Sequence, residues 1–108
     1  MVAANKEKLK DLISYIVNKA GKIPKVKLAK LVLFSEIEYF NKTGKSITDL
    51  YFVRLKKGPV IAFFDEVLDA HTNKLWNKNV EDIPIHEEGR IKKQYLYSSI
   101  GIGKKDIP

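Results

Sequence analysis

The chain has 108 residues, a net charge of +7 and no cysteine, which limits it to a single domain of ordinary size without disulfides, thiolate zinc sites or cysteine nucleophiles. Its longest apolar run, Leu31–Phe34, is far too short to span a membrane, and its N-terminus lacks the apolar segment of a signal peptide, so we expect one cytoplasmic domain over residues 1–108. The charges are unevenly spread, because residues 1–30 hold eight lysines and two acids whereas residues 61–90 hold three cations and seven acids.

The first helix is predicted near the N-terminus. Apolar residues from Leu9 to Val17 recur at the spacing i, i+3, i+4, i+7 and i+8, which places them on one face of a helix. Asn5 is a suitable residue before its first turn, and Gly21 is a suitable residue after its last one. The pattern therefore indicates an amphipathic helix between Asn5 and Gly21.

A second helix follows after a short link at Lys22–Ile23. Pro24 fits its first turn, because proline fixes the first helical φ and lacks the N–H that would be unpaired there. Gly44 is placed to end this helix. Residues 31–34 are apolar in all directions around the axis, which is more than a one-sided surface helix needs. We therefore expect this helix to be the central, largely buried one.

A strand and a third helix are predicted for the middle of the chain. Ile47–Leu55 carries aromatic and β-branched residues that alternate along it, as in a strand. In the run Arg54-Leu-Lys-Lys-Gly-Pro-Val60, three cations precede a Gly-Pro step. Glycine permits an unusual turn and proline suits a first helical turn, so we expect Gly58 and Pro59 to open a helix whose apolar stripe ends at His71.

The last third of the chain predicts a loop, a hairpin and an irregular end. Proline at position 84 lies in one strand of the hairpin and favours the edge of a sheet for that strand. The segments are a loop over Thr72–Asn79 anchored by Trp76, a hairpin of Ile83–His86 with Arg90–Ser98 across Glu87–Gly89, and residues 99–108, which are either a tail or the cut end of a longer chain.

No group of residues in the sequence has the spacing of a catalytic or metal site. His71 and His86 stand far apart without a ligand-spaced partner, which is evidence against a bound metal. The acids Asp65, Glu66 and Asp69 fit the solvated face of the third helix better than a pair of catalytic carboxylates. We therefore expect a non-enzymatic protein that needs neither metal nor cofactor.

The order helix, helix, strand, helix, hairpin is that of a winged helix, so nucleic-acid binding is the alternative function. In that arrangement the third helix would enter the major groove, and the hairpin with Arg90, Lys92 and Lys93 would be the wing. The acids of the third helix oppose this arrangement, because they would face phosphates. The alternative is therefore binding through a basic face made of Lys22, Lys25, Lys27, Lys30, Lys56 and Lys57.

Three short motifs occur in one order between about residue 25 and residue 70. The run Lys27-Leu-Ala-Lys-Leu-Val-Leu-Phe34 is followed by Asn41-Lys-Thr-Gly-Lys-Ser-Ile47, and then by Phe52 with Gly58-Pro-Val60. In this order they resemble the patterns K-L-x-K-L-[LV]-x-F, T-G-x-x-[LI] and F-x-x-x-x-x-G-P-V of the Panacea domain, also called the SocA-like antitoxin domain. Three spaced motifs in one order are more specific than any one of them alone.

The resemblance implies a small bacterial or phage domain, mainly helical with a short sheet, that works by binding protein. Members of the family are typically antitoxins, each of which neutralises a toxin encoded beside it, and one style of action is to deliver the toxin to a protease as an adaptor. The family has no established catalytic residues, and Gly58-Pro-Val60 would be an architectural turn. Two features depart from the family: Lys57 stands where an aromatic residue is frequent, and the chain is basic whereas antitoxins are often acidic.

We therefore predict an α+β domain of three helices and a short antiparallel sheet, with a winged-helix-like order of elements, that binds a cognate toxin protein and no membrane. Its basic face would meet an acidic patch of the toxin, and exposed aromatic residues would anchor the contact. The residues predicted to bind the partner are Lys27, Lys30, Arg54, Lys56, Lys57, Tyr51 and Tyr97. The residues predicted to build the structural motif are Leu28, Leu31, Phe34, Gly44, Phe52, Gly58, Pro59 and Val60.

Overall fold

The structure is a computed structural model that describes residues 2–56, 58–84 and 91–100. Its helices and strands confirm the predicted α+β class. In chain order they are α1 (Val2–Ala20), β1 (Lys22–Pro24), α2 (Lys25–Thr43), β2 (Phe52–Leu55), β3 (Gly58–Ile61), α3 (Phe64–Ala70), β4 (Trp76–Pro84) and β5 (Ile91–Ser99).

Helix α1 buries the apolar face that its periodicity predicts. Leu9, Ile13 and Val17 are almost completely inaccessible to solvent. The helix ends before Gly21, which has a positive φ of 78° and donates its N–H to the carbonyl of Val17 at 2.8 Å. The start differs from the prediction, since the helix already includes the residues before Asn5. The alanines that precede Asn5 are strong helix formers, and they extend the helix past the residue expected to cap it.

The short link predicted at Lys22–Ile23 is strand β1, the first strand of a three-stranded antiparallel sheet with the order β1-β5-β4. Ile23 stands opposite Tyr97 of the central strand β5. Strand β4 begins at Trp76, inside the predicted loop, because pairing with β5 and burial of the indole override the low strand propensity of its asparagines. It lies at a sheet edge, as proline at position 84 predicts. The predicted turn Glu87–Gly89 lies outside the described residues.

Helix α2 is much more exposed than predicted. It ends where expected, because Gly44 has a φ of 75° and donates its N–H to the carbonyl of Phe40 at 2.7 Å. Pro24 stands one residue before the helix, in extended backbone, instead of in its first turn. Only the stripe Leu28, Val32 and Glu36 is buried, at the spacing i, i+4, i+8. Although α2 has apolar residues all around its axis, it is not the central helix, because other elements cover only one side of it.

The Gly-Pro step builds a β-hairpin instead of opening a helix. Strands β2 and β3 pair antiparallel, with Arg54 opposite Pro59 and Leu55 opposite Gly58. Proline is tolerated because β3 pairs with one strand only among the described residues, so its other edge needs no N–H. Helix α3 starts later, at Phe64. The predicted strand Ile47–Leu55 shortens to its last four residues, because the residues before Phe52 bind a side chain of α2.

One buried cluster joins the three helices to the three-stranded sheet. Trp76 and Tyr97 are its largest members, and both are completely inaccessible to solvent. The indole N–H of Trp76 donates to the carbonyl of Leu68 at 3.0 Å, and its ring meets the edge of His71. Trp76 therefore anchors this part of the chain, as predicted. The buried cluster consists of Leu9, Ile13, Ile16, Val17, Ile23, Leu28, Val32, Leu50, Ile61, Phe64, Val67, Leu68, Trp76 and Tyr97.

Candidate functional site

A buried carboxylate organises the connection between α2 and the β2–β3 hairpin. Glu36 is only 3% exposed. Its two oxygens accept hydrogen bonds from the backbone N–H groups of Ile47 (2.7 Å) and Thr48 (3.0 Å) and from the hydroxyl of Ser46 (3.1 and 3.2 Å), and also from the Thr48 hydroxyl. A charge removed from water in this way needs such bonds to remain stable. The carboxylate therefore fixes the path of residues 46–48.

The fixed loop sets the direction of the residues that follow. Leu50 enters the core, whereas Tyr51 and Phe52 face outward. The carbonyl of Tyr51 accepts a hydrogen bond from the Ala62 N–H at 2.8 Å, and its ring meets the edge of Phe63 at 6.2 Å between centroids. The hairpin is thus held at its base from both strands, with Tyr51 packed on Phe63 and Phe52 directed to a different neighbourhood beside α2.

Two open clefts lie between α2 and this hairpin, one after the other along the helix. Together their lining residues form what we call the α2–hairpin groove. The first cleft, of about 290 Å³, is lined by Glu36, Ile37, Phe40, Ser46, Leu50 and Phe52. The second, of about 300 Å³, is lined by Lys25, Val26, Ala29, Lys30, Leu55, Gly58, Pro59, Val60, Phe64 and Asp65.

The groove exposes an unusual amount of apolar surface. Phe40 is 57% exposed, and Val26, Phe52 and Leu55 are exposed to a similar extent. Single exposed apolar residues are common on protein surfaces, but several of them lining concave regions typically mark a place where another molecule binds. The groove is therefore the candidate functional site of the chain.

Unpaired cations stand on and beside the groove. Lys30 lines the second cleft, and Arg54 and Lys56 lie exposed on the hairpin; none of the three makes an ion pair with a described residue. The two acids that line the groove are both engaged. Glu36 is bound by the loop, and Asp65 lies 3.0 Å from the ammonium of Lys25. The free charge along the groove is therefore positive.

Around α3 the charges have the opposite arrangement. The helix carries three exposed acids, and its other face is buried in the core. Each acid is paired with a lysine of a different element: Lys6 of α1 with Glu66 at 2.6 Å, Lys25 of α2 with Asp65 at 3.0 Å, and Lys78 of β4 with Asp69 at 4.0 Å. A helix with this acidic surface is poorly suited to the major groove of DNA.

The chain matches a known protein family over most of its length. The family described as "Antitoxin SocA-like, Panacea domain" matches residues 28–106. The chain belongs to this family. No curated protein and no solved structure matches the chain. The family match runs from α2 through β5, so it includes most of the groove, while α1 precedes it.

The motifs of the Panacea domain lie along the groove. Gly58-Pro-Val60 lines the second cleft, and Phe52 lines the first. In the K-L-x-K-L-[LV]-x-F motif, Leu28 is buried, Leu31 is half-buried against the core, and Phe34 is 57% exposed. The motif therefore contributes to the core through Leu28 and Leu31, whereas Phe34 lies exposed on a face of α2 that lines neither cleft.

The residues predicted to bind the partner have different positions in this Panacea domain. Lys30, Arg54 and Lys56 lie on or beside the groove, whereas Lys27 is exposed on α2 but lines neither cleft. Lys57 lies outside the described residues. Tyr51 is 65% exposed, but it packs on Phe63 and lines neither cleft.

Tyr97 corrects the prediction, because it is fully buried. It lies on the central strand of the sheet, opposite Ile23, with its side chain directed into the core. Its hydroxyl has no hydrogen-bond partner among the described residues. Burial, with a smaller effect from the nearby carboxylates of Asp69 and Asp65, raises the pKa of Tyr97 to about 12. Tyr97 is therefore a core residue and not an exposed anchor.

Glu36, Ile37 and Phe40 line the groove but are not among the site residues predicted from the sequence. Glu36 could have been recognised, since it lies four residues after Val32 on the buried stripe of α2, where a charge needs partners. The serine and threonine of the following loop are suitable donors. Among the described residues, no three acids or histidines form a group that could hold a metal ion, and no helix is long and apolar enough to cross a bilayer.

Proposed function

We propose that this chain is an antitoxin that neutralises a toxic protein by binding it directly. Its membership of the SocA-like Panacea family supports this function. The observation that carries the proposal is the α2–hairpin groove, in which exposed apolar side chains lie beside cations without ion-pair partners. Such a combination is typical of a protein interface and not of an ordinary solvated surface.

The mechanism we propose is complementarity and not catalysis. Lys30, Arg54 and Lys56 would attract an acidic patch of the toxin. Opposite charges on two proteins mainly raise the rate at which they associate, so this attraction would accelerate the encounter. Tyr51 would then add contact area, because an exposed aromatic ring gives a large apolar surface at a small entropic cost. Covering its active surface would leave the toxin inactive.

The proposed function also concerns the extent of the binding unit, its compartment and the fate of the bound toxin. Residues 1–108 would act as one binding unit, because residues from Leu9 to Tyr97 share one buried cluster. The unit would act in the cytoplasm, where a chain without cysteine has no need of disulfides. After binding, it would present the toxin to a protease as an adaptor, as the family resemblance implies.

A growth assay tests the proposed function. Each reading frame next to this one in the source genome is expressed from an inducible promoter, with and without this protein. We expect one neighbour to arrest growth and this protein to restore it. A neighbour that stays toxic although both proteins are produced in soluble form, or the absence of any toxic neighbour, would contradict the proposal.

The charges are tested by Lys56→Glu combined with Lys57→Glu. Because both changes reverse the sign of the steering charge, association with the toxin should be at least about tenfold slower at low salt and less dependent on salt. Lys8→Glu combined with Lys74→Glu, which reverses two exposed lysines that line neither cleft, is the matched control. An unchanged association rate in the double variant would remove these lysines from the interface.

Nucleic-acid binding is the second candidate, and the unpaired cations near the groove favour it. Lys27, Lys30, Arg54 and Lys56 are exposed and make no ion pair with a described residue. A protein that binds through phosphate contacts loses affinity for random duplex DNA steeply as salt rises. We expect weak binding without such a steep dependence. A slope that corresponds to several phosphate contacts would favour the second candidate.

A further inference from the structure

We propose that the α2–hairpin groove binds an acidic amphipathic helix of the partner protein. This inference rests on the proposed antitoxin function for its biological partner, but it concerns a surface that can be tested by itself. Its evidence is the spacing of apolar residues along α2, the shape of the two clefts and the sign of the unpaired charge.

The open side of α2 has the spacing of a helix-packing seam. Val26, Leu33 and Phe40 recur every seven residues, and Ala29 and Ile37 lie between them at the three- and four-residue steps of such a seam. Val26, Ile37 and Phe40 are exposed, whereas Ala29 and Leu33 are half-buried against the core, and Leu33 lines neither cleft. In a pair of packed helices this spacing keeps one stripe facing the partner over several turns. Fourteen residues of helix span about 21 Å, which matches a partner helix of four turns. This stripe of α2, which is exposed at its two ends, is therefore suited to another helix.

The hairpin supplies the second wall of the groove. Phe52 of β2 lies beside the C-terminal half of α2 in the first cleft, and Leu55 lies beside its N-terminal half in the second. Of the two strands, β3 is the one that packs against α2, and β2 pairs with β3. A helix laid over α2 and the hairpin would contact both with its apolar stripe, as amphipathic helices do in hydrophobic grooves.

The charges select the chemistry of the occupant. Lys30 faces the groove, and Arg54 and Lys56 extend from the hairpin, while both acids of the groove lining are already engaged. An occupant with glutamate or aspartate beside its apolar stripe would place each carboxylate near a cation that has no ion-pair partner among the described residues. An occupant with lysine there would be repelled. The groove therefore fits an acidic helix and disfavours a basic one.

The experiment uses peptide probes of stated design. A fluorescent 18-residue peptide carries leucine at the heptad a and d positions and glutamate at the positions beside them. A second peptide replaces these glutamates with lysine, and a third keeps the glutamates but has a central proline that breaks the helix. Fluorescence anisotropy measures the binding of each peptide to the full chain. We expect only the first peptide to bind, with at least tenfold higher affinity than the other two.

Matched variants of the chain locate the binding site. Phe34 and Phe40 are both 57% exposed on α2, but they lie about 120° apart around its axis, and only Phe40 lines the groove. Phe40→Glu should weaken binding of the acidic peptide at least tenfold, whereas Phe34→Glu should change it less than twofold. Lys30→Glu and Lys27→Glu form a second pair with the same expectation. Circular dichroism checks that all four variants are folded.

The outcomes separate the groove from the proposed function. If the acidic peptide does not bind, if the lysine or proline peptide binds equally well, or if Phe34→Glu has the larger effect, the helix-binding groove is wrong. These results would hold whether or not a toxin exists. If the peptide binds as expected but no neighbouring gene is toxic, the groove stands and the antitoxin function fails. If a toxin is neutralised equally well by Phe40→Glu, the antitoxin function stands and the groove is not its interface.

Discussion

The surroundings of α3 and the α2–hairpin groove use the same kinds of residue in opposite ways. Beside α3, the apolar side chains of Leu68 and Trp76 are buried, and the exposed acids of the helix are paired with lysines. In the groove, Phe40 and Phe52 are exposed, and Lys30 has no ion-pair partner among the described residues. The residues around α3 therefore stabilise the fold of the chain itself, whereas the α2–hairpin groove has apolar surface and positive charge available for a partner.

The largest effect on stability is expected when the buried ring of Trp76 is compared with the exposed ring of Phe40. Trp76→Ala removes a fully buried side chain and its hydrogen bond to the Leu68 carbonyl, so the free energy of unfolding should fall by about 3 to 5 kcal/mol. Phe40→Ala removes a ring that is mostly exposed, and it should cost no more than about 1 kcal/mol. Urea denaturation followed by circular dichroism measures both values.

A milder variant keeps this comparison informative if Trp76→Ala does not fold. Trp76→Phe retains an aromatic ring in the core but loses the indole N–H, so we expect a loss of about 1 to 2 kcal/mol. If Phe40→Ala were as destabilising as the tryptophan variants, the groove would be part of the folded core, and the contrast between the two regions would be wrong.

The second test concerns the carboxylate on which the shape of the groove depends. Glu36→Gln replaces one acceptor oxygen with an NH₂ group, which would face a backbone N–H of Ile47 or Thr48. A buried donor left without an acceptor is costly, and the bonds lost are charge-assisted, so the free energy of unfolding should fall by about 2 to 3 kcal/mol. Thermal and urea denaturation measure the change.

Glu38→Gln is the matched control for this change. Glu38 lies two residues further along the same helix, but it is exposed, and its partner Lys42 is one helical turn away. An exposed pair of this kind stabilises by only a few tenths of a kcal/mol, so the control should be within about 0.5 kcal/mol of the wild type. Equal effects of the two changes would mean that the Glu36 bonds do not hold the loop.

The parts of the fold that could be predicted are those decided by local chemistry. The periodicity of α1 places Leu9 and Val17 correctly, because a one-sided apolar stripe has only one way to be buried. Gly21 and Gly44 end their helices as predicted, since both have the positive φ that glycine adopts most easily. Trp76 was correctly predicted as an anchor, because a large aromatic ring in a polar segment usually finds a place in the core.

The predictions that were wrong concern features that depend on which helices and strands pack against each other. Pro59 suits both a first helical turn and an outer strand, and only its pairing with Arg54 shows which occurs. Apolar residues on all sides of α2 predict a buried helix, but the sequence does not show whether Phe40 is covered by this chain or by another one. The groove was invisible for the same reason, since it needs α2 and the hairpin side by side.

The third test uses the pH dependence of the core. The pKa of Tyr97 is raised to about 12 by burial, whereas an unfolded chain has a tyrosine pKa near 10. As the pH rises above 10, the unfolded state loses this proton first and is favoured, so the stabilising contribution present below pH 10 is lost between pH 10 and 12. The loss should be on the order of 2 kcal/mol relative to Tyr97→Phe, which cannot ionise.

The phenylalanine variant also has an effect at neutral pH. The Tyr97 hydroxyl has no hydrogen-bond partner among the described residues, so its removal should leave stability unchanged or raise it by up to about 1 kcal/mol. Tyr15→Phe, at an exposed position of α1, should show neither effect. Parallel curves of wild type and Tyr97→Phe between pH 9 and 12 would show that this hydroxyl is not buried.

The smallest expected effect lies where the two regions meet. Lys25 and Asp65 line the second cleft and form an exposed ion pair, so Asp65→Asn should change the free energy of unfolding by less than about 0.5 kcal/mol. The same change leaves Lys25 free to act on the groove, and the acidic peptide should associate about twofold faster at low salt. Stopped-flow fluorescence measures the rate, with Glu38→Gln as the control because Glu38 lines neither cleft. A faster rate in Asp65→Asn alone would show that α3 withholds one lysine from the groove, whereas equal rates in both variants would mean that the peptide responds to net charge and not to this surface.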